Sequence, residues 1–517
     1  MKDCDVYQSF VGKLDAKNLS LIFSSFYVNN PGSTFGHTFL RVSRYRDFRH
    51  NELLDYAINF SAQDSKDHVF FYMMKGLAGY YPGKFSVAPY YYKIREYNDH
   101  EFRDIWDYDL GLSQEQINRV IDHVWEMAQV HFDYYYFTEN CSYHVLGLLN
   151  VAYDDVDLLK GLSPIYVLPI DTVKEMKKLN LVKDRKVRVS AYGKLLKETE
   201  GFSDKKLEMV KSIALNTNLS QSFSAGLPEK ESAYLLDASL SAIDYLKADK
   251  ILLNEKLATE EREKLLVLRA ENPHISENLK FDLTKLKAPD ESHHSSRLGL
   301  FAGDRHKQGS FFGMEWRAAQ HDLLDPSAGQ LKYSQVVIFD IKSRYQTLGF
   351  KENNWILDRF RMIDLKKYQP SDFWNSSISF DLGIGFDQGQ VCKSKNCVEP
   401  VVTFGVGNSV EIFPDQVLSF LAGGSYLYDS FYDKNSLLSL GPKLNWLVLK
   451  DKFSLGVEAG YFMPSTLLEE WLKRKIVYGA DLRIFLDPNK SLFFKTNNID
   501  QDFGSEHEAQ FGIYLYH

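Results

Sequence analysis

From about residue 296 to the last residue, apolar and polar positions alternate with a period of two. Successive side chains of a strand point to opposite faces, so this pattern predicts a succession of strands. Twelve segments carry it, near 296–306, 310–324, 331–345, 354–368, 377–387, 400–411, 416–428, 437–450, 453–463, 475–486, 490–500 and 508–517. Each has roughly the 9–11 residues or more that a tilted membrane-spanning strand needs. In 437–450, Leu438, Leu440, Leu444 and Trp446 oppose Lys443 and Asn445. In 453–463, Leu455, Val457 and Ala459 oppose Glu458, and in 475–486, Ile476, Leu482 and Ile484 oppose Asp481 and Arg483. An apolar outer face around a polar lumen accounts for the sorting. A soluble barrel or sandwich alternates in the same way with its faces reversed. The even strand number and the abundance of aromatic residues favour a spanning antiparallel barrel of about twelve strands over residues 293–517.

Ahead of it the pattern is mixed. Residues 19–28 read as a strand, and Asn-Asn-Pro-Gly-Ser at 29–33 as a turn. A second strand, 37–42, carries His37, Phe39 and Arg41 on one face. A third, 53–60, carries Asp55 and Ala57 on one face, with Asn59 further along it. The glycine-rich loop 76–84 lacks the Gly-Lys-Ser/Thr of a phosphate loop, and 85–94 reads as aromatic and extended. A helix starts at Ser113, where Ser-Gln-Glu-Gln fits a capping box, and Ile117, Val120, Ile121 and Val124 form its buried stripe. The aromatic run 134–137 leads to Asn140 and a short apolar helix. Residues 1–164 are therefore an α+β domain. Residues 165–292 read as a helical connector whose charge runs are solvated faces.

Composition narrows the classes. A chain of 517 residues exceeds one compact core. A net charge of −8 argues against a nucleic-acid partner. No apolar run reaches the length of a membrane-spanning helix. The opening Met-Lys-Asp-Cys-Asp has no secretory signal pattern, which indicates either a cytosolic protein or a signal segment missing from the chain. Cys4 is a candidate lipidated residue without a lipobox context. Cys392 and Cys397 flank four loop residues, a spacing that suits a local disulfide in an oxidising compartment, with exposed loop thiols as the alternative.

The candidate chemistry centres on Cys141. Asn140 is an N-cap residue type, which places Cys141 in the first helical turn, where free N–H groups and the helix dipole favour a thiolate. His37 is the upstream base. Asp55 is the candidate to orient its imidazole, with Asn59 in reserve. The Cys141 backbone N–H is a plausible oxyanion donor. His144, three residues on, is a second possible base, more readily explained as a satisfied polar residue. Taken singly, a buried cysteine is commonly a small hydrophobe and a strand histidine structural. Their combination on separate elements, with a nearby acid, is what points to a nucleophile–base pair.

Ser33-x-Phe35-Gly36-His37-x-x-Leu40-Arg41, Asn59-Phe60-x-Ala62, Lys75-Gly76-Leu77-x-Gly79-x-Tyr81-x-Gly83 and Asn140-Cys141-Ser142-Tyr143, taken together, resemble the Lnb family of bacterial lipoprotein N-acyltransferases over roughly residues 15–160. More distantly, a histidine strand preceding an Asn-Cys helix is similar to the permuted papain-like fold of the NlpC/P60 superfamily. The resemblance implies a Cys–His acyltransferase with a thioester intermediate at Cys141 and His37 as base. Its acyl donor would be a phospholipid and its acceptor a diacylglyceryl lipoprotein at the membrane, with Ser33, Arg41, Tyr136 and Asn140 in the substrate site. No cofactor or metal is expected. The expected location is the bacterial envelope, an outer-membrane barrel with its catalytic domain in the periplasm. A cell-wall peptidase or amidase is the alternative enzyme, although the many tyrosines near the site suit acyl chains better than a polar groove does. A non-catalytic barrel with a periplasmic interaction domain requires Cys141 and His37 to be far apart or buried in apolar surroundings.

Overall fold

The computed structural model describes residues 4–26, 35–47, 50, 52–63, 75–76, 78–219, 227–248, 255–275, 286–306, 308–346, 355–388, 398–428, 436–466, 470–471, 474–501 and 504–517. The expected Cys392–Cys397 disulfide and Ser33 lie outside these residues. The chain forms two compact units, Met1–Leu286 and Lys287–His517.

The first unit is built on an antiparallel sheet. Its strands are β1 (Asn18–Ser24), β2 (His37–Ser43), β3 (Tyr56–Ala62), β4 (Tyr81–Pro89), β5 (Ile105–Asp109), β6 (Phe132–Tyr134) and β7 (Asp184–Arg188), in the order β6-β4-β3-β2-β1-β5-β7. Around it lie helices α1 (Asp5–Leu14), α2 (Gln114–Met127), α3 (Cys141–Asn150), α4 (Pro169–Lys178), α5 (Ala191–Glu198), α6 (Asp204–Leu215), α7 (Glu229–Ala248) and α8 (Glu255–Glu271). The capping box forms as expected: Gln116 N–H donates to Ser113 Oγ, and Ser113 N–H to Gln116 Oε1. The stripe Ile117, Val120, Ile121 and Val124 is buried. Helix α3 packs on β2 and β3 through its apolar face, burying Val145, Leu146 and Leu149.

Three segments depart from the sequence reading. Residues 85–94 are extended only to Pro89. One helical turn follows (Tyr90–Lys93), then a π-helix (Ile94–His100). Coiling places Tyr90, Ile94 and Tyr97 together over Ile22, Phe39 and Ala57 of the sheet, a convergence that alternation along a strand does not give. The stretch 105–109, Ile-Trp-Asp-Tyr-Asp, is an inner strand. The segment expected as a helical connector supplies the edge strand β7, Asp-Arg-Lys-Val-Arg, beside β5. Charged residues on an edge discourage pairing with other chains.

The second unit is a closed antiparallel barrel. Its strands are β8 (Arg297–Arg305), β9 (Gly309–His321), β10 (Ser334–Gln346), β11 (Trp355–Lys367), β12 (Ser379–Gln388), β13 (Val398–Phe413), β14 (Gln416–Leu427), β15 (Leu437–Leu449), β16 (Phe453–Thr466), β18 (Lys475–Asp487), β19 (Lys490–Gln501) and β20 (Gly504–Tyr516). A two-residue strand, β17 (Glu470–Trp471), pairs with the end of β16. Pairing of β20 with β8, and of β15 with β16, closes the ring of twelve. The expected facing holds. Leu444, Ile484, Phe420, Leu492, Phe494 and Phe511 are exposed on the outside. Charges turn inward and meet across the lumen: Lys443 of β15 reaches Asp381 of β12 at 2.8 Å, and Arg344 of β10 reaches Glu508 of β20 at 2.8 Å. A soluble barrel has the reverse facing, so the outside is fit for lipid. No helix among the described residues is long and apolar enough to cross a membrane.

This facing predicts the cost of a misplaced charge. Leu444→Arg, on the outer face midway along β15, is expected to destabilise the barrel by about 2–4 kcal/mol. A shift of the urea midpoint in lipid or detergent measures it. Lys443→Leu, a lumenal change beside it, is expected to act instead through loss of the Asp381 ion pair.

Candidate active site

The site forms where the first residue of β2 meets the first residue of α3. Gly36, just before His37, has φ +87°, and a Cβ there would lie 2.6 Å from the Phe23 ring and 3.0 Å from the Ser24 carbonyl. Only glycine gives the chain this approach, and the approach sets His37 at the strand end. At α3, Asn140 caps the helix: its Oδ1 accepts from Ser142 N–H at 3.0 Å and Tyr143 N–H at 3.4 Å. Its Nδ2 donates to the Val167 carbonyl at 2.7 Å and the Tyr136 carbonyl at 3.2 Å. The cap leaves Cys141 N–H, the first amide of the helix, without an intrahelical acceptor.

Cys141 is buried, 5% exposed, and hydrogen-bonds to His37. Burial pushes its pKa up. The charge and hydrogen bond of His37, the Thr38 backbone N–H and the Ser142 hydroxyl more than reverse this and bring it to about 7. Ser142 Oγ lies 3.7 Å from the sulfur and accepts from Thr38 Oγ1 at 2.8 Å. His37 Nε2 lies 2.6 Å from Asn59 Oδ1. Because an amide oxygen only accepts, Nε2 carries the hydrogen, and Nδ1 is the ring nitrogen left for proton exchange.

The His37 ring is held by Asn59, and the expectation that Asp55 orients it is corrected. Strands β2 and β3 pair Leu40 with Ile58 and Val42 with Tyr56, so Asn59 sits toward the His37 end and Asp55 at the far end. Asp55 is buried against Arg41 Nε at 3.6 Å and His50 Nε2 at 3.1 Å. Arg41 is fully buried too, with Asp107 at 2.6 Å and Glu52 at 3.9 Å. Lys186 and Arg188 of β7 complete this cluster by pairing with Glu52 at 2.9 and 2.8 Å. It ties β2, β5 and β7 together. Arg41 is therefore a structural ion-pair residue, and Asn140, whose polar atoms are all engaged by the chain, a structural cap; neither is placed to bind substrate. Tyr136 is half-buried with its ring on Phe35 and Phe137, at 5.8 and 5.4 Å between centroids. The rings beside His37 itself are those of Phe39 and Tyr97.

His144 does not serve as a second base. Its ring stacks on Phe60 at 4.1 Å and lies 4.9 Å from Phe132, and burial pulls its pKa down to about 4. Sequence reasoning passed over Tyr97. Its ring packs 5.6 Å from the His37 ring, Lys93 Nζ donates to its hydroxyl at 3.4 Å, and the Arg103 guanidinium stacks over it at 4.9 Å. The π-helix carries it there, and such turns recur at functional sites. In the barrel, His293, His321 and Asp325 converge closely enough for a metal. There His293 Nε2 and His321 Nδ1 bond each other at 2.8 Å, and Asp325 is held by Arg297, Arg317 and Arg483. Three guanidiniums make this a poor seat for a cation.

The apolar exterior, charged lumen and closed ring define the second unit as a membrane-spanning barrel of the outer-membrane type, and the first as the globular domain joined to it. Residues 7–178 match the family described as the Lnb N-terminal periplasmic domain, and residues 286–516 match a domain of unknown function, DUF7840. The chain is an outer-membrane barrel with an Lnb-like periplasmic domain. No match was found among curated proteins. Similar solved structures include the KdgM porin, at 10% identity over 43% of this chain and 99% of that chain, with a TM-score of 0.25. The NanC porin gives 9% identity, 43% and 100% coverage and a TM-score of 0.27. Omp33 of Acinetobacter baumannii gives 9% identity, 44% and 100% coverage and a TM-score of 0.23. Scores at this level carry no argument, and the barrel rests on its own strand pairing.

The thiol's setting fixes its pH response. Alkylation of Cys141 by a small iodoacetamide reagent is expected to accelerate as pH rises through about 7, where the thiolate forms. In His37→Ala, burial acts without its main counterweight, and the midpoint is expected to move up past the ordinary thiol value of 9.0. Rate–pH profiles of the two proteins, read by mass spectrometry of the Cys141 peptide, check both.

Proposed function

We propose that the periplasmic domain is a cysteine-dependent acyltransferase that moves an acyl chain from a phospholipid to the α-amine of a diacylglyceryl lipoprotein. The observation that carries this reading is the buried Cys141 held by His37, whose far nitrogen is fixed by Asn59. A cysteine at a helix N-terminus with a histidine and an asparagine is the arrangement of papain-like enzymes, and this supports a papain-type reading of the site.

The chemistry proceeds in two halves. His37 Nδ1 takes the thiol proton as Cys141 sulfur attacks the ester carbonyl carbon of the lipid, and the carbonyl oxygen becomes an oxyanion. Cys141 N–H, at the positive end of α3, is placed to donate to it. The intermediate collapses with cleavage of the acyl C–O bond. The lysophospholipid oxygen takes the proton from His37, and the acyl group remains on sulfur as a thioester. The lipoprotein amine then attacks the thioester carbon, His37 accepts the amine proton, and the C–S bond breaks. The thiolate–imidazolium pair is restored with an amide as product. Covalent linkage to a membrane barrel holds the domain near a bilayer that contains both substrates, raising their effective concentration.

The peptidase or amidase reading shares this machinery and differs in substrate. The mutually packed rings of Phe35, Tyr136 and Phe137, which stand a few residues ahead of His37 and Cys141 in the chain, favour an acyl chain over a polar glycan or peptide.

Incubation of the full-length protein with phospholipid vesicles is expected to add one acyl mass to the Cys141 peptide, and hydroxylamine should remove it. Cys141→Ala is expected to show no adduct and to unfold at nearly the wild-type temperature, a small-for-small exchange in a first helical turn. A folded wild-type protein that forms no adduct with phospholipid, yet cleaves muropeptides in a Cys141-dependent way, would transfer the assignment to the amidase reading.

A further inference from the structure

In the connection between β9 and β10, residues 322–325 turn into the lumen, while 327–332 stay half-buried or exposed, with Lys332 paired to Asp415 of the short connection 414–415. Asp322 bonds Arg483 of β18 at 2.7 Å and also Arg297 of β8. Asp325 bonds Arg297 and Arg483 at 3.0 and 2.8 Å, and accepts from the Tyr516 hydroxyl of β20 at 2.7 Å. Ser454 Oγ of β16 donates to the Leu324 carbonyl at 2.5 Å, and the Leu324 side chain covers Gly456. Leu323 and Leu324 then join Val417 and Leu421 of β14 and Leu447 and Leu449 of β15 in one apolar cluster. This short segment therefore contacts strands on opposite walls of the ring. It lies at the end where β8 begins and β20 finishes, the end of the short connections 414–415, 450–452 and 488–489. The lumen holds cavities of about 160 Å³ beside Asp322, Leu323 and Leu324 and about 260 Å³ further along, and the Lys443–Asp381 and Arg344–Glu508 ion pairs cross it.

We infer that residues 322–325, at the head of the β9–β10 connection, are a built-in plug that seals one end of the barrel, so that the barrel is a membrane anchor and not a solute pore. Aspartates fixed by three buried arginines hold the polar side of the plug, and the leucine pair holds its apolar side. A buried guanidinium without its carboxylate is strongly unfavourable, so the closed state is the one in which all five charges are paired. The inference is independent of the acyltransferase reading.

Full-length protein in planar lipid bilayers under molar KCl is expected to show no stepwise conductance. Asp322→Asn together with Asp325→Asn, which keeps the plug's length but removes its anchors, is expected to give discrete conductance steps while the barrel remains folded by its resistance to SDS at room temperature. Where that variant does not fold, Leu324→Cys with Gly456→Cys in the otherwise wild-type chain is expected to form a disulfide across the lumen, identified by peptide mapping. Stepwise conductance of the wild-type protein, a folded but still closed double-Asn variant, or absence of the crosslink in a folded barrel would each overturn the plug.

Discussion

The first unit is arranged around the problem of a negative sulfur in a buried position. Burial penalises the thiolate, and the compensation is drawn from separate elements. The imidazole comes from the start of β2, one amide from Thr38, a hydroxyl from Ser142, and the positive end of α3 from the helix itself. Each depends on backbone fixed elsewhere. Gly36 sets the angle at which β2 begins, and Asn140 ties the start of α3 to Tyr136 and Val167. The ion cluster of Arg41, Glu52, Asp55 and Asp107 lies further along the same sheet. There burial pushes Asp107 up to about 6 against the pull of Arg41 and Lys186, a sign of how dry that interior is.

Much of this was legible in the sequence because single residues carry local rules. Asn140 before an apolar run predicts a cap, and the cap predicts where Cys141 lies in its helix. Alternation placed all twelve barrel strands, and the charges Lys443, Asp481 and Arg483 told their inner faces. Asp55 was misplaced because period-two reasoning gives the face of a strand but not the register of its partner. Asp55 and Asn59 share a face, and the pairing of β2 with β3 decides which one His37 meets. An acid was also the more familiar partner for an imidazole, whereas the structure uses an amide. Arg41 was placed in the substrate site through the family resemblance, and its partners on β5 and β7 were unreadable. Those two strands were missed because their charged residues, Asp107, Lys186 and Arg188, resemble solvated loops until paired. Tyr97 was invisible for a different reason: a π-helix has no simple period to find.

The two units solve opposite solvation problems with one alphabet. In the first, leucine, isoleucine and phenylalanine lie between sheet and helices. In the second many of them face outward, and arginine, lysine, aspartate and glutamate line much of the inside beside smaller apolar clusters. The inner charges are held by mutual pairing across the lumen, which gives the barrel a polar interior in place of an apolar core. A single hydropathy average therefore describes neither unit.

The seam between β8 and β20 has a consequence for how the molecule is made. Tyr516 pairs with Arg297, so the first and last strands of the ring are neighbours in space and more than two hundred positions apart along the chain. Closure has to wait for the final strand to be delivered, and contacts this distant in sequence form slowly. All seven strands of the first unit, by contrast, precede residue 189. The globular unit thus has every segment it needs while the ring is still an open sheet with two bare edges. Its maturation and the sealing of the ring are separate events, and the interval between them is when an exported chain most needs escort against edge-to-edge association.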